Sequence, residues 1–431
     1  MSSTAFVWAV FILFVVLILL EVPIPFAMLG SSLLFAVRHH ESFVMFAQKT
    51  ANSFADYSLL AVPAFMFVGC AMNEIGFSDR IFDVAKKGIG HIPGGLGHAN
   101  ILASMIFAGM SGSAMADAGG LGAIEVKAMR DAGYDENFSV AVTAASSSIG
   151  PIIPPSINFV VWGFIAQCST LSLFLAGVLP GILMGVSMMI YTYVAVKYLH
   201  VKAPLYRKAT AKEFLHSLWR GLPALGAPAI LIGGIMTGIF TPTECGVVGC
   251  VYVVILAFCY KKMSFKTAWI ILKNTLSTTA MTMFLCATGA VFNWMIITSG
   301  LMDQLSSLLL MIPNAYIVML LLNLILLLMG CFMGSMSVLI MMAPLLINLA
   351  NALGLSLVHI GVVAVLNLTI GLITPPMAPA LFIAAKTAGV SFDKALKQTI
   401  PFLIPLVITL LLITFIPDIV LCIPKLMKVA V

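Results

Sequence analysis

Long apolar runs, joined by short polar connectors, make up most of this chain. Long intervals contain no Asp, Glu, Lys or Arg, among them residues 137–196, 221–243, 274–302 and 304–385. A membrane-spanning helix needs roughly 20 apolar residues, so the longest interval must fold back on itself. Strand-like alternation over about ten residues, typical of outer-membrane barrels, is absent from the sequence. The pattern therefore predicts an all-α polytopic membrane protein.

Ten apolar segments are predicted to cross the membrane. They lie at 5–20, 22–37, 58–75, 137–166, 170–196, 222–240, 243–260, 274–298, 358–385 and 398–417. Two more apolar regions, 97–126 and 315–353, have centres rich in Gly and Ser and are interpreted as re-entrant helical hairpins. The first segment lacks a basic leader and a small-residue cleavage site, which favours a retained span over a signal peptide.

The basic residues predict the orientation. With both hairpins entering and leaving on one side, the ten crossings place residues 80–136, 197–220, 261–273 and 386–397 on the same face. That face carries 18 of the 22 Lys and Arg residues. The positive-inside rule makes it cytoplasmic, so both termini are predicted to be periplasmic in a bacterial inner membrane.

Composition supports a membrane protein and gives no indication of nucleic-acid binding or enzyme activity. The chain is 61% hydrophobic and 9% charged, whereas soluble domains have about 25% charged residues. The net charge of +6 follows from loop topology, so no nucleic-acid partner is expected. The eight cysteines are scattered through apolar segments without a CxxC pair and are interpreted as buried. No HExxH, GxSxG or paired His/Cys metal spacing points to an enzyme.

Two short sequences recur in the same order. "GPIIPP" (150–155) resembles "GLITPP" (371–376), and "MSGSAM" (110–115) resembles "FMGSMS" (332–337), at offsets of 221 and 222 residues. Pro23 and Pro242 pair at a similar offset. Because each half has five predicted crossings, the halves are expected to be oppositely oriented, as in inverted-repeat secondary transporters. Independent origin of the two broken helices is the alternative.

The predicted domains follow from this repeat. Residues 1–196 form the first repeat, with hairpin 97–126 and broken helix 137–166. Residues 197–221 form a basic cytoplasmic linker. Residues 222–431 form the second repeat; its hairpin is 315–353 and its broken helix is 358–385.

The proline pairs expose backbone oxygen. Pro154 and Pro155 lack an N–H and clash with the preceding turn, so nearby carbonyls lose their helical donors. In hydrocarbon such groups are tolerated only when buried in protein or lining a cavity. Neighbouring side chains add oxygen ligands suited to a hard cation such as Na⁺: Ser146, Ser147, Ser148, Ser156 and Asn158, and in the second half Asn367, Thr369 and Thr374. Two packing kinks are the simpler alternative.

The two hairpin centres predict a substrate region. Ser111, Ser113 and Asp117 lie in the first, and Gly334, Ser335 and Ser337 lie in the second. Each turn is expected to start a helix whose N-terminus attracts an anion, so the two together could hold a carboxylate. Asp117 is an acid in apolar surroundings, which favours a functional role, although helix capping is an alternative.

These residues resemble the large membrane subunit of TRAP (tripartite ATP-independent periplasmic) transporters, of the sialic-acid and C4-dicarboxylate type. The resemblance rests on "GMSGSAMADAGGLGAIEVKAMRDAGY" with "AASSSIGPIIPPSINFVVWG", on "TGIFTPTECGVVG" and on "LITPPMAPALFIAA". It covers essentially the whole chain; Cys245, where alanine is common, is a modest departure.

The resemblance implies Na⁺-driven, ATP-independent uptake of an organic acid anion by an elevator mechanism. A periplasmic binding protein delivers the substrate, and a small four-helix membrane subunit is expected as a separate chain, because the first span begins near residue 5. At least two Na⁺ ions are expected, at Ser111, Ser113, Gly150, Ile153 and Pro154, and at Gly334, Ser335, Gly371, Thr374 and Pro375. The predicted substrate-binding residues are Ser111, Ser113, Asp117, Asn158, Ser337 and Pro379.

Three alternatives stay open. A stand-alone Na⁺- or H⁺-coupled dicarboxylate carrier would need no binding protein. An intramembrane enzyme would need an acid/base partner for Asp117 that the sequence does not offer. A channel would have no need of paired, oppositely oriented hairpins.

Overall fold

The computed structural model describes residues 3–430, and within them it is all-α. It contains 21 α-helices and one short 3₁₀ turn, Ser58–Leu60, over these residues. The helices are α1 Ser3–Leu19, α2 Ile24–His39, α3 Phe43–Ala55, α4 Ala61–Glu74, α5 Phe77–Ile89, α6 Gly95–Ser111, α7 Ala114–Gly119, α8 Leu121–Asp131, α9 Glu136–Ser147, α10 Ile157–Ala166, α11 Thr170–Tyr198, α12 Ala211–Met236, α13 Pro242–Cys259, α14 Phe265–Thr298, α15 Leu301–Leu310, α16 Ala315–Phe332, α17 Ser335–Leu353, α18 Leu357–Gly371, α19 Pro379–Ala388, α20 Phe392–Phe415 and α21 Pro417–Leu426.

The predicted all-α polytopic class is confirmed. In the described part of the chain, seven helices are long and apolar enough to cross a membrane: α11, α12, α13, α14, α16, α17 and α20. An eighth span results when α3 and the helix Ser58–Glu74, bent by 58°, are taken together. The remaining predicted crossings are shorter helices or helices interrupted by the proline pairs. Both α16 and α17, which were predicted as hairpin arms, are among these seven helices.

Helix interruptions lie where the proline pairs occur. The first break, residues 148–156, separates α9 from α10, and the second break, residues 372–378, separates α18 from α19. Each contains a cis bond between its two prolines. Two-residue turns join α6 to α7 and α16 to α17. We call these the first hairpin turn (112–113) and the second hairpin turn (333–334).

The order of helices before the first break recurs before the second. Gly76 and Gly300 both adopt positive φ, at 77° and 67°, and each begins a short amphipathic helix, α5 or α15. An L-residue other than Gly is strained in this conformation, so the same turn is built twice. A helix pair, a broken helix and a long helix follow in both halves.

Several helix bounds differ from the predicted spans because the helices extend beyond the apolar segments into the polar residues next to them. α14 starts at Phe265, within a predicted loop, so Lys266 and Lys273 are helical. α11 ends at Tyr198 and α12 starts at Ala211. The connection without helix is therefore 199–210, inside the predicted linker.

The 199–210 connection lies against the first half. The N–H of Asp135 donates to the carbonyl of Lys202 at 3.0 Å, and the Lys86 ammonium lies 4.4 Å from the ring centre of Tyr206. Beyond it, Ser217 of α12 donates to the Asp83 carboxylate of α5 at 2.7 Å. The connection and the start of α12 thus contact α5 and the turn before α9.

Helices of the two halves pack across each other. α2 packs on α14 and α13 packs on α4, while α10 packs on α17 and α19 packs on α7. The buried Trp162 donates from Nε1 to the carbonyl of Leu357 at 3.0 Å, which joins α10 to the start of α18. The core therefore lies where the broken helices of both halves meet.

Candidate functional site

The first hairpin turn packs directly on the first break. A Cβ placed on Gly112 would lie 2.9 Å from the carbonyl oxygen of Pro155, and one on Gly109 would lie 3.5 Å from that of Pro154. Gly112 also has positive φ, 58°. Glycine is needed here because a side chain would push the turn away from the carbonyls. We call α6–α10, with this turn and this break, the first unit.

The second unit, α16–α19 with its turn and break, has an even closer contact. A Cβ on Gly371 would lie 2.6 Å from the backbone carbon of Gly330, so the last turn of α18 touches the backbone of α16. Hydrogen bonds in the break are local: Thr374 donates from Oγ1 to the carbonyl of Ile370 at 2.7 Å. Both breaks are therefore held against the first arm of their own hairpin.

The Ser156 hydroxyl replaces part of the backbone hydrogen bonding that is lost at the first break. It donates to the carbonyl of Pro151 at 2.5 Å and accepts from the N–H of Phe159 at 3.2 Å, which caps α10. Pro154 and Pro155 have no N–H, and their carbonyls face the glycines of α6 and the hairpin turn. The unit therefore concentrates backbone oxygens beside Ser111, a set that suits a hard cation.

Asp117 lies in this oxygen-rich region. It is 2% exposed, and a Cβ on Gly150 would lie 2.5 Å from its Oδ2. Neither carboxyl oxygen has a hydrogen-bond partner among the described residues. A buried carboxyl group without a partner is costly, so Asp117 marks a place where a ligand can be bound. Capping of α7 is instead supplied by Ser113, which accepts from Ala116 N–H at 3.5 Å.

The two units meet at their hairpin turns. Asn158, at the start of α10, donates to the Ser335 hydroxyl at the start of α17, at 3.2 Å. A Cβ on Gly334 would lie 3.8 Å from the terminal carbon of Met115. Exposed residues border this junction: Met115 is 38% and Met377 55% exposed. The junction of the two turns therefore reaches the protein surface beside Met115.

The structure brings most of the predicted site residues to this junction. Ser111, Ser113 and Asp117 lie at the first hairpin turn, and Ser335 contacts Asn158. Ser337 is buried in the first turn of α17. The side chain of Ile153 points at Gly181 of α11. Because this side chain has no ligand atom, only the backbone carbonyl of Ile153 is suited to ion binding. Pro379 begins α19, after Ala378 in a left-handed conformation.

Comparison with known proteins decides the family. Residues 11–419 match the family described as "Tripartite ATP-independent periplasmic transporter, DctM component". The chain belongs to this family. It is similar to the sialic acid TRAP transporter large permease protein SiaM of Vibrio cholerae, at 39% identity over 94% of this chain and 95% of that one. It is also similar to the 2,3-diketo-L-gulonate TRAP transporter large permease protein YiaN of Escherichia coli, at 36% identity over 94% and 95%.

The fold is also similar to that of a solved transporter structure. The YdaH transporter of Alcanivorax borkumensis matches with a TM-score of 0.61 at 15% identity, over 85% of this chain and 86% of that one. Family membership makes this chain a multi-pass membrane transporter subunit, as predicted, and places it in a transporter rather than an enzyme family.

Glu125 is a polar residue of this DctM protein that sequence reasoning missed. It is 1% exposed, and its Oε1 has no hydrogen-bond partner among the described residues. Leu121 and Met129 lie one turn before and after it on α8 and are also buried. The spacing of four places all three on one face, so the apolar periodicity of α8 was the signal that could have revealed this burial.

Two buried amide networks were also missed. In the first unit Asn100 donates to Thr143 at 2.7 Å and accepts from Ser146 at 2.8 Å. In the second unit Asn367 donates to Asn323 Oδ1 at 2.9 Å, and Asn323 donates to Thr414 at 3.0 Å. Each network joins the first hairpin arm to the helix before the break. Ser146 and Asn367 were predicted as ion ligands, but their hydrogen bonds serve these helix contacts.

Proposed function

We propose that this DctM protein carries an organic acid anion across a bacterial inner membrane, driven by Na⁺ entry. Family membership supports the transport role. The names of SiaM and YiaN, for sialic acid and 2,3-diketo-L-gulonate, support a carboxylate-bearing substrate; a C4-dicarboxylate is a further candidate. The observation that carries the proposal is the junction of two hairpin turns with two broken helices, beside the unpartnered carboxyl group of Asp117.

The proposed Na⁺ sites use oxygen of both units. In the first, the ligands are Ser111 and Ser113 with carbonyls of Gly150, Ile153 and Pro154. The second site uses Gly334, Ser335, Gly371, Thr374 and Pro375. Close packing of glycine against carbonyl supports these assignments, because it holds backbone oxygens together without side-chain interference. Two bound cations would lower the cost of holding a substrate carboxylate at the junction.

The substrate is proposed to bind between the hairpin turns, with Ser111, Ser113, Asp117, Asn158, Ser337 and Pro379 as its neighbours. The N-terminus of the 19-residue helix α17 has no side-chain cap, so its N–H groups are available to an anion. Asp117 would repel a carboxylate directly, so its proposed role next to the substrate is to hold a cation between itself and the substrate carboxylate.

The proposed mechanism is an elevator. The two units would move as one body relative to the remaining helices, which form the scaffold. In this proposal α6 with α7 and α16 with α17 are re-entrant hairpins, and the repeated order of helices in the two halves reflects an inverted repeat. The packing of α10 on α17 and of α19 on α7 supports their joint movement, since each unit contributes a half-helix to the other. The distribution of basic residues supports cytoplasmic placement of residues 80–136 and 199–210.

The proposed partners are a periplasmic substrate-binding protein and a small membrane subunit. Uptake is tested in proteoliposomes that contain both membrane subunits, with the binding protein outside and a Na⁺ gradient imposed. We expect uptake to need the binding protein, Na⁺ and both subunits, with K⁺ replacement as the control. Uptake that continued unchanged without the binding protein would favour the stand-alone carrier instead.

A further inference from the structure

A separate cavity of about 350 Å³ lies between both units and the helices beside them. Its walls come from α10, α14, α15 and α17, near the chain turns that follow α10 and α14. These turns lie at the end opposite the 199–210 connection in the predicted topology. The cavity does not include either hairpin turn or either break, so it is distinct from the proposed substrate junction.

Most of the cavity wall is apolar. Phe164, Ala290, Ile297 and Pro344 contribute to it. Cavities that bind small molecules have volumes of roughly 300–1,000 Å³ and are lined mainly by such groups. A space of this size and character fits a compact organic molecule, whereas a bare metal ion needs a shell of oxygen ligands at 2–3 Å.

The polar part of the wall carries hydrogen-bond acceptors. Asp303, on α15, has its carboxylate held by Asn348 of α17, which donates to Oδ1 at 3.0 Å. Asn293, on α14, is 8% exposed, and its Oδ1 has no hydrogen-bond partner among the described residues. This oxygen is enclosed by protein in the structure. A half-turn about χ2 exchanges the oxygen and nitrogen of the amide, and this rotation turns the oxygen to the cavity.

The charge of the lining selects the ligand. The described residues that line the cavity include Asp303 but no Lys, Arg or His. A carboxylate attracts a cation and repels an anion over several ångströms. The cavity is therefore unsuited to the organic anion proposed as substrate and suited to a hydrogen-bond donor with positive charge.

We propose that this cavity binds an organic ammonium ion. The ammonium group would lie between Asp303 and Asn293, and the apolar body would contact Phe164, Ala290 and Ile297. A free amphiphilic amine and the headgroup of an aminophospholipid share this chemistry. Binding itself is independent of the proposed transport function.

Occupancy has a consequence that does rest on the proposed elevator. α10 and α17 belong to the units that would move, whereas α14 and α15 are assigned to the surrounding helices. An ammonium ion that contacts both sets stabilises the arrangement in which they form this cavity. It therefore inhibits uptake, and added substrate does not relieve the inhibition.

Binding is measured on the purified protein in phosphatidylcholine nanodiscs, with three probes of one skeleton: 3-phenylpropylammonium, 3-phenylpropanol and 3-phenylpropanoate. We expect the ammonium probe to bind at least about tenfold more tightly than the carboxylate probe. Asp303→Asn should weaken the ammonium probe about fivefold without changing binding of the alcohol. Asp418→Asn, a carboxylate on α21 that does not line the cavity, is the matched control and should have no effect.

A second variant blocks the space. Ala290→Phe should abolish binding of both the ammonium and the alcohol probe, with thermal stability checked to show that the variant folds. Equal binding of all three probes, or full binding in Ala290→Phe, would overturn the proposed site. Competition by phosphatidylethanolamine in the nanodisc would identify the lipid as a source, and unchanged affinity would identify a free amine; either result is compatible with the site.

Uptake then tests the consequence separately. The ammonium probe should lower substrate uptake in wild type but not in Ala290→Phe. Binding without inhibition would overturn the effect on movement and leave the site in place. A protein that shows no uptake under any condition would contradict the proposed function and leave the nanodisc binding result unaffected.

Discussion

The first and second units share a backbone plan but differ in charge and exposure. Both have a two-residue hairpin turn, a break with two prolines and a glycine contact between break and hairpin. The first contains the buried acids Asp117 and Glu125, whereas the second has no acidic residue and a single lysine, the exposed Lys386 near the end of α19. The first break is buried throughout, and the second exposes Pro376 and Met377.

This difference separates the requirements of geometry from those of charge. Close packing of hairpin and break occurs in both units and therefore does not need a carboxylate. The position that Asp117 occupies in α7, four residues after Ser113, is filled in α17 by Val338, four residues after Gly334. Buried acids thus occur in one unit only, the unit whose break is closed to solvent.

The largest expected effect is on transport. Asp117→Asn should lower Na⁺-dependent uptake by about 100-fold or more, because a buried carboxylate beside a proposed cation site contributes several kcal/mol when its ligand is bound. Val338→Thr, at the matching position of the second unit, is the control and should keep most activity. Uptake is measured in proteoliposomes, with monodispersity checked for both variants. Near-normal uptake by Asp117→Asn would remove the functional distinction between the units.

Substitution of the contact glycines by alanine should lower stability by different amounts at the two breaks. Gly371→Ala places a Cβ against backbone of α16 and should cost about 2–4 kcal/mol. Gly150→Ala meets a side-chain oxygen of Asp117, so the additional change Asp117→Ala should recover part of its loss. Thermal unfolding in detergent measures both.

Gly30→Ala is the control for these substitutions, since a Cβ there meets nothing within 4 Å. Equal losses for all three alanine variants would show that glycine content, rather than the contacts, determines stability.

The proposed cation sites predict a third effect. Ser111→Ala and Ser335→Ala should each raise the Na⁺ concentration for half-maximal uptake by about tenfold, the equivalent of one lost oxygen ligand at roughly 1.4 kcal/mol. Ser307→Ala, whose exposed hydroxyl bonds only to its own helix at Gln304, is the control. A change in maximal uptake with no change in Na⁺ dependence would contradict both site assignments.

The amide networks should respond alike in the two units. Asn100→Leu and Asn323→Leu each remove two buried hydrogen bonds and should lower stability by about 1–2 kcal/mol. Asn351→Leu, at an exposed position near the end of α17, is the control. A large loss in one unit alone would show that the networks are not equivalent.

The smallest effect concerns Asp83, which joins α5 to α12. Partial burial by itself raises the pKa of this carboxyl group, but hydrogen bonds from Lys87 and Ser217 outweigh it and lower the pKa below its usual value. A lowered folded-state pKa stabilises the protein above the unfolded-state pKa, and this stability is lost as pH falls through the folded-state value.

The variant Asp83→Asn should therefore lose less stability on acidification below about pH 4 than wild type. The difference should not exceed about 0.5 kcal/mol, because the carboxylate is half exposed. Thermal unfolding across pH measures it, with Asp79→Asn as the control. An Asp83→Asn curve that runs parallel to wild type would show that the hydrogen bonds contribute nothing measurable.

Much of the fold could be predicted because its signals are local. Pro154–Pro155 and Pro375–Pro376 interrupt helices by lacking donors, and Gly112 permits a tight turn, whatever surrounds them. The burial of Glu125 depends on which face of α8 packs inward, and the bonds of Asn100 depend on α6 meeting α9. The cavity beside Asp303 arises from four separate helices. Such features follow from tertiary packing, which short sequence patterns do not specify.

The contacts of the connection 199–210 restrain movement of the turn before α9 relative to α5, although the length of the connection does not. Fully extended, it would reach roughly 40 Å, more than the thickness of the membrane hydrocarbon, so chain length alone imposes no restraint. Yet the bond from Asp135 to Lys202 and the contact of Lys86 with Tyr206 hold its middle against both α5 and the turn before α9. A displacement of that turn relative to α5 strains or releases one of these contacts, so the contacts restrain the movement where the length of the connection does not.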